Sequence, residues 1–124
     1  MSTQLVTIGP DESLDRVKDL FRAKRIHHLP VVDGTRLVGL ITTSDLFWLN
    51  RPFSDYTEIK VKEVMTTKLA TIEANSKIGT AAEIFLEHLF HAIPIVDDGD
   101  LVGIVTTFDV LQYEFSKEYP VRIL

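Results

Sequence analysis

Residues 5–48 align with residues 69–112 at a constant offset of 64, without a gap, and fourteen of the 44 pairs are identical. Leu5/Leu69, Ile8/Ile72, His27/His91, Pro30/Pro94, Gly39/Gly103, Thr42/Thr106 and Asp45/Asp109 are among them. Average composition would give about 6% identity by chance, or roughly two to three matches. Duplication is the better explanation, and it constrains the fold more than any other feature. Two copies are too few for a solenoid, so the pattern predicts two half-units closing on each other about a pseudo-twofold axis.

Each copy carries the same local grammar. Leu5-Val-Thr-Ile8 is a β-rich run ended by Gly9-Pro10, and predicts a first strand. Leu14, Val17, Leu20 and Phe21 then fall on one face of a helix, with Ser13 as its N-cap and Asp11 as the rival. Leu29–Val32 and Leu37–Ile41 flank Asp33-Gly34-Thr35-Arg36, a hairpin signal because Gly tolerates positive φ. Pro30 is expected at the start of its strand, where it removes no interior ladder donor. A short helix from Ser44 or Asp45 to Asn50 closes the copy. The second copy repeats this, with Ser76 ahead of Ile78, Ala81, Ala82, Phe85, Leu86 and Leu89, and Gly79 as a close-approach point. The reading is repeat 1 over 1–50, a linker over 51–64 drawn as an extended arm, and repeat 2 with its apolar tail over 65–124.

Composition narrows the function. A chain 45% hydrophobic and 25% charged can bury a core unaided, and its lack of cysteine excludes redox thiols, a Cys nucleophile and iron–sulfur chemistry. A net charge of −5 argues against broad binding to nucleic acid or anionic lipid. No apolar run nears the ~20 residues of a membrane span, and the N-terminus lacks the regions of a secretory signal. A cytoplasmic location without membrane insertion is therefore expected.

The segment richest in chemistry is Gly39-Leu-Ile-Thr42-Thr-Ser-Asp45, repeated as Gly103-Ile-Val-Thr106-Thr-Phe-Asp109. Where a strand runs into a helix start, free amides favour an anion and a Thr hydroxyl can donate to phosphate. An Asp three residues on repels phosphate but accepts the vicinal hydroxyls of a ribose. Thr-x-x-Asp is equally close to a capping box, in which both side chains merely satisfy helix amides. Both readings stand at this level. His88 and His91 are three apart with no third ligand placed, so no metal site is expected. Nothing resembles a nucleophile elbow or a Gly-rich phosphate loop, and Asp45 and Asp109 suggest two sites rather than one acid/base pair, so no catalytic residue is assigned. Phe47, Trp48, Phe53 and Tyr56 read mainly as core and linker packing, their exposed remainder as a dimer surface.

These motifs, with Leu-Pro-Val-Val-Asp-Gly, Ile-Pro-Ile-Val-Asp and the Val61-Lys-Glu-Val-Met65-Thr66 lead-in, resemble a tandem of cystathionine-β-synthase (CBS) domains, a Bateman module. The resemblance covers nearly the whole chain. It implies an α+β fold of two βαββα units packed through their sheets, two clefts and a dimer of modules. It also implies a non-catalytic regulatory sensor of AMP, ADP, ATP or S-adenosylmethionine, bound in the inter-repeat cleft, with no resident cofactor and with an effector enzyme or transporter as partner. Carried over by motif, Thr42 and Thr106 meet phosphate and Asp45 and Asp109 meet ribose. His27 and His28 stand where the family often has a basic pair, and the second copy has His91-Ala92. With Ser44 beside it and Phe108 at the matching place, the Asp45 cleft is the favoured one. Histidine, partly charged near neutrality, implies weak and pH-sensitive phosphate attraction. Adenine is expected against Thr7, Ile8 and Val17, or Thr71, Ile72 and Ala81. The competing class is a dimerisation or docking module with vestigial clefts and no small-molecule ligand.

Overall fold

The computed structural model describes residues 5–75, 92–107, 109 and 111. The helix expected after Ser76, with Gly79, Ala81, Ala82, His88 and His91, lies outside them, as do Phe108 and the tail. In chain order the described elements are α1 (Leu14–Lys24), β1 (His28–Asp33), β2 (Arg36–Thr42) and α2 (Thr43–Leu49). Two 3-10 turns follow (Phe53–Glu58 and Val61–Glu63), then β3 (Ile72–Glu73), β4 (Ala92–Asp97) and β5 (Asp100–Thr106). The chain is α+β and divides into two compact units. One holds Val6–Leu69 with Gly99–Leu101, and the other Leu5 with the described residues of Ala70–Asp98 and those from Val102 onward.

In the first unit, Ser13 is the N-cap of α1, its side chain accepting from the Arg16 amide at 3.4 Å. The helix ends where Arg25 turns left-handed (φ 53°). Leu14, Val17, Leu20 and Phe21 form its buried face, as the spacing requires, and join Leu29, Val31 and Ile41 in one core. β1 and β2 pair antiparallel around Gly34, whose φ of 65° a side chain would strain. β2 in turn meets the start of β5, Arg36 opposite Asp100.

Three local expectations are corrected. Leu5–Ile8 is not a full strand: only Ile8 bridges, parallel to Val31, donating to Pro30 O (3.1 Å) and accepting from Val32 N–H (2.9 Å). Gly9 and Pro10 follow at once and end the pairing. Pro30 sits inside β1 rather than at its start. Its carbonyl faces Ile8, away from β2, so its missing N–H falls on the thinly paired side and leaves the β1–β2 ladder intact. The linker is not an extended arm. Pro52 (φ −66°) leads into the first 3-10 turn, and the segment is clipped to the α1 entry by three backbone bonds. These are Leu14 N–H to Ile59 O, Val61 N–H to Glu12 O and Lys62 N–H to Pro10 O, each 2.9 Å. Tyr56 and Val61 are thereby buried in the core.

Lys62 also pairs with Asp11 at 2.9 Å. Its hydrogen bond and charge hold the Asp11 carboxyl below the usual carboxylate range and raise the Lys62 ammonium. A lowered folded-state value means the contribution is present above the ordinary Asp range and fades as pH falls through the folded value. Both groups are exposed, so Asp11→Asn is expected to move the melting midpoint at pH 7 only marginally, and to flatten the acid limb of a stability–pH curve slightly.

In the second unit β3 pairs parallel with β4 (Ile72 with Ile95, Glu73 with Val96), and the order is β5-β4-β3. Ala92 to Val96 are buried throughout. The Ile72–Ile95 pairing repeats Ile8–Val31 at the offset of 64, and β4 and β5 span the residues of β1 and β2 shifted by the same number. The sequence repeat is thus a repeat of pairings.

Candidate functional site

β2 delivers Thr42 to the start of α2, and the capping reading of Thr-x-x-Asp is realised there. The Thr42 amide donates to Asp45 Oδ2 at 2.9 Å, and the Asp45 amide donates to Thr42 Oγ1 at 3.1 Å. The second copy forms the same box: Thr106 amide to Asp109 Oδ2 at 2.8 Å, and Asp109 amide to Thr106 Oγ1 at 3.2 Å. Two independent strand ends, 64 residues apart, close in one way.

The box leaves chemistry over. A hydroxyl that accepts through its oxygen keeps its own proton, so Thr42 retains a donor. An ionised carboxylate offers about four acceptor positions, of which the box uses one. Asp45 is half-buried at the junction. Its other oxygen, Oδ1, accepts from the Thr66 hydroxyl at 3.3 Å. Sequence reasoning noted Thr66 only within the lead-in. Its meeting with Asp45 spans 21 residues and no local pattern announces it.

The histidines of the first copy are brought to the same place by backbone. His27 O accepts from the Thr43 amide at 3.1 Å, and His28 stands opposite Thr42 in the β1–β2 register. The His27 side chain is exposed and His28 partly buried, while Ser44 faces solvent on α2. Thr42, Ser44, Asp45, His27 and His28 therefore belong to one strand-to-helix junction. Ile8 (2% exposed) and Val17 (0%) are sealed in the core of this unit, with Thr7 partly accessible beside them. Thr106, Asp109, Thr71 and Ile72 are placed in the second unit, Ile72 buried; Ala81 and His91 lie outside the described residues. No group of three metal-ligating side chains occurs among the described residues, and no described helix is long and apolar enough to cross a membrane.

A cavity of about 370 Å³ opens elsewhere in the first unit, between α1, α2 and the first 3-10 turn. Lys18, Arg22, Thr43, Leu46, Phe47 and Tyr56 line it, and Thr42 and Asp45 do not. The aromatic cluster differs from the packing expected of it. Phe47 and Trp48, stacked edge to face at 5.4 Å, are 74% and 80% exposed. Phe53 is also exposed, beneath the cations of Lys18 and Arg22, and only Tyr56 is core.

Twinned strand pairings that each end in a Thr-x-x-Asp box define a tandem-repeat module. The chain belongs to the CBS domain family, whose model matches residues 1–49 and 61–116. It is 29% identical to the CBS domain-containing protein YhcV of Bacillus subtilis over 118 residues, which are 95% of this chain and 84% of that protein. It is 30% identical to the inosine-5'-monophosphate dehydrogenase of Korarchaeum cryptofilum over 95% of this chain, but spans only 24% of that enzyme. Among solved structures it is similar to CBSX2, a CBS-pair protein from Arabidopsis thaliana (TM-score 0.85, 28% identity, 95% and 92% of the two chains). The structure of CBSX2 in complex with AMP matches with a TM-score of 0.83 and 28% identity over 95% of this chain and 94% of that one.

Proposed function

We propose that the chain is a non-catalytic regulatory module that binds an adenosine nucleotide at the Thr42–Asp45 junction. The ribose hydroxyls donate to Asp45, the Thr42 hydroxyl donates to phosphate, and the His28 imidazole, opposite Thr42 in the β1–β2 register, adds a further phosphate contact. The observation that carries the reading is the duplicated box, which leaves the Thr hydroxyl proton and open carboxylate positions side by side. The AMP complex of the similar CBSX2 supports adenine as the base. The similarity to a short stretch of an inosine-5'-monophosphate dehydrogenase supports an effector enzyme as the regulated partner. Regulation requires that the ligand prefer one of two states, and a tenfold preference supplies about 1.4 kcal/mol of bias. The exposed Phe47–Trp48 pair supports a homodimer, and the reading places the module in the cytoplasm without a resident cofactor.

Calorimetry with AMP, ATP and S-adenosylmethionine on the wild type and Asp45→Asn tests it. AMP affinity is expected to fall at least about tenfold in the variant, since a hydrogen bond to a charged group contributes about 1.5–3 kcal/mol. Binding untouched by the substitution would place the site elsewhere. No heat with any of the three would leave the docking module, which the exposed aromatic pair favours.

A further inference from the structure

From the contact between Asp45 and the lead-in segment, we infer that Thr66 is a positioning residue of the Asp45 site, orienting the carboxylate for a vicinal diol. The inference rests on the nucleotide reading above and adds a residue to it. Thr66 is fixed by more than its side chain. Leu40 N–H donates to Thr66 O at 2.9 Å and Thr66 N–H to Leu40 O at 2.8 Å, a reciprocal antiparallel bridge onto β2. Just before it, Met65 lies over Gly39: a Cβ there would meet Met65 Sδ at 2.5 Å and Thr66 O at 3.2 Å. The lead-in thus sits tight on β2 because residue 39 has no side chain, and the Thr66 hydroxyl reaches Asp45 Oδ1 from a frame that its own side chain does not hold up.

Acceptor counting gives this contact its consequence. With Thr42 N–H on Oδ2 and Thr66 O–H on Oδ1, each carboxylate oxygen keeps one open position. Two adjacent openings, one per oxygen, suit two neighbouring hydroxyls. Without the Thr66 donor, Oδ1 is tied to nothing on that side. The carboxylate plane can then turn about the Oδ2 bond, and two-point recognition degrades to one-point. At 3.3 Å the contact is longer than the ~2.7–2.8 Å of a typical O–H···O bond. Its share in stability is therefore small.

The test measures Kd for AMP and 2′-deoxy-AMP with the full chain as wild type, Thr66→Val and Thr66→Ser, alongside melting temperatures. Val matches Thr in shape without the donor, and the backbone bridge to Leu40 remains. Thr66→Val is expected to weaken AMP about five- to tenfold while barely changing 2′-deoxy-AMP, so that the preference for AMP narrows, and Thr66→Ser is expected to stay within about twofold of wild type. The inference is overturned, with the nucleotide reading intact, if Thr66→Val binds AMP like the wild type. It is overturned equally if Thr66→Val weakens both ligands to the same extent as its melting temperature drops, which is what a purely structural role gives. A wild type that takes up neither ligand overturns the reading of the site itself, and this inference with it.

Discussion

Leu14→Ala is expected to destabilise the protein by about 3 kcal/mol, within the ~2–5 kcal/mol range of Leu→Ala changes in packed cores. Leu14 is 0% exposed at the first turn of α1 and belongs to the same cluster as Val17, Leu29 and Ile41. Its amide also receives the linker, donating to Ile59 O at 2.9 Å. Alanine keeps that backbone bond and improves helix propensity only slightly. What is lost is the isobutyl group, at a place where α1, the hairpin and the linker cannot all move inward to fill the space. At this chain length the melting temperature should fall by roughly 10 °C. A loss of less than about 1 kcal/mol in urea titration would mean that the linker collapses onto the site and that the clip to α1 is looser than its hydrogen bonds imply.

Gly39→Val should cost a comparable amount, about 2–3 kcal/mol, by the opposite mechanism of overpacking. The β carbon would meet Met65 Cγ at 3.0 Å as well as Sδ and the Thr66 carbonyl. Methionine is adaptable, so part of the strain can be relieved by rotation. The Thr66 carbonyl cannot rotate away without breaking the bridge to Leu40. Combining Gly39→Val with Met65→Ala should therefore recover some stability but not all of it, a non-additive result expected of side chains in contact. Full recovery in the double variant would show that the backbone contact carries no strain. A nucleotide titration of Gly39→Val should also show weakened AMP binding, because displacing the lead-in carries Thr66 away from Asp45.

What the sequence made legible is what is local or duplicated. Ser13 could be chosen over Asp11 only with the structure, yet the buried face of α1 followed from the spacing of Leu14, Val17, Leu20 and Phe21. The hairpin followed from Asp33-Gly34, and the duplication of pairings from the constant offset. At the junction, Thr42 and Asp45 were legible as a pair; the cap uses the Thr42 oxygen as an acceptor and one position on Asp45 Oδ2, and the proposed ligand role draws on the hydroxyl proton and the carboxylate positions that remain. The linker was misread because its second 3-10 turn is held by the carbonyls of Pro10 and Glu12, and Ile59 O by the Leu14 amide, partners that no neighbouring residue reveals. The first strand was overdrawn because β propensity in Leu5–Ile8 says nothing about whether a partner runs alongside. Thr66 escaped for the same reason: its meeting with Asp45 exists only after Met65 has settled over Gly39.

The division of β5 has a consequence for how the gene can be cut. Gly99–Leu101 complete the unit of residues 6–69, through Leu37 N–H to Gly99 O, Leu101 N–H to Thr35 O, and Asp100 against Thr35 and Arg36. A gene cut after codon 69 would yield a fragment whose second hairpin strand lacks its neighbour at Thr35–Leu37, an open edge of the kind that recruits other chains. The unit of residues 6–69 is thus finished only with a piece of strand encoded in the second copy.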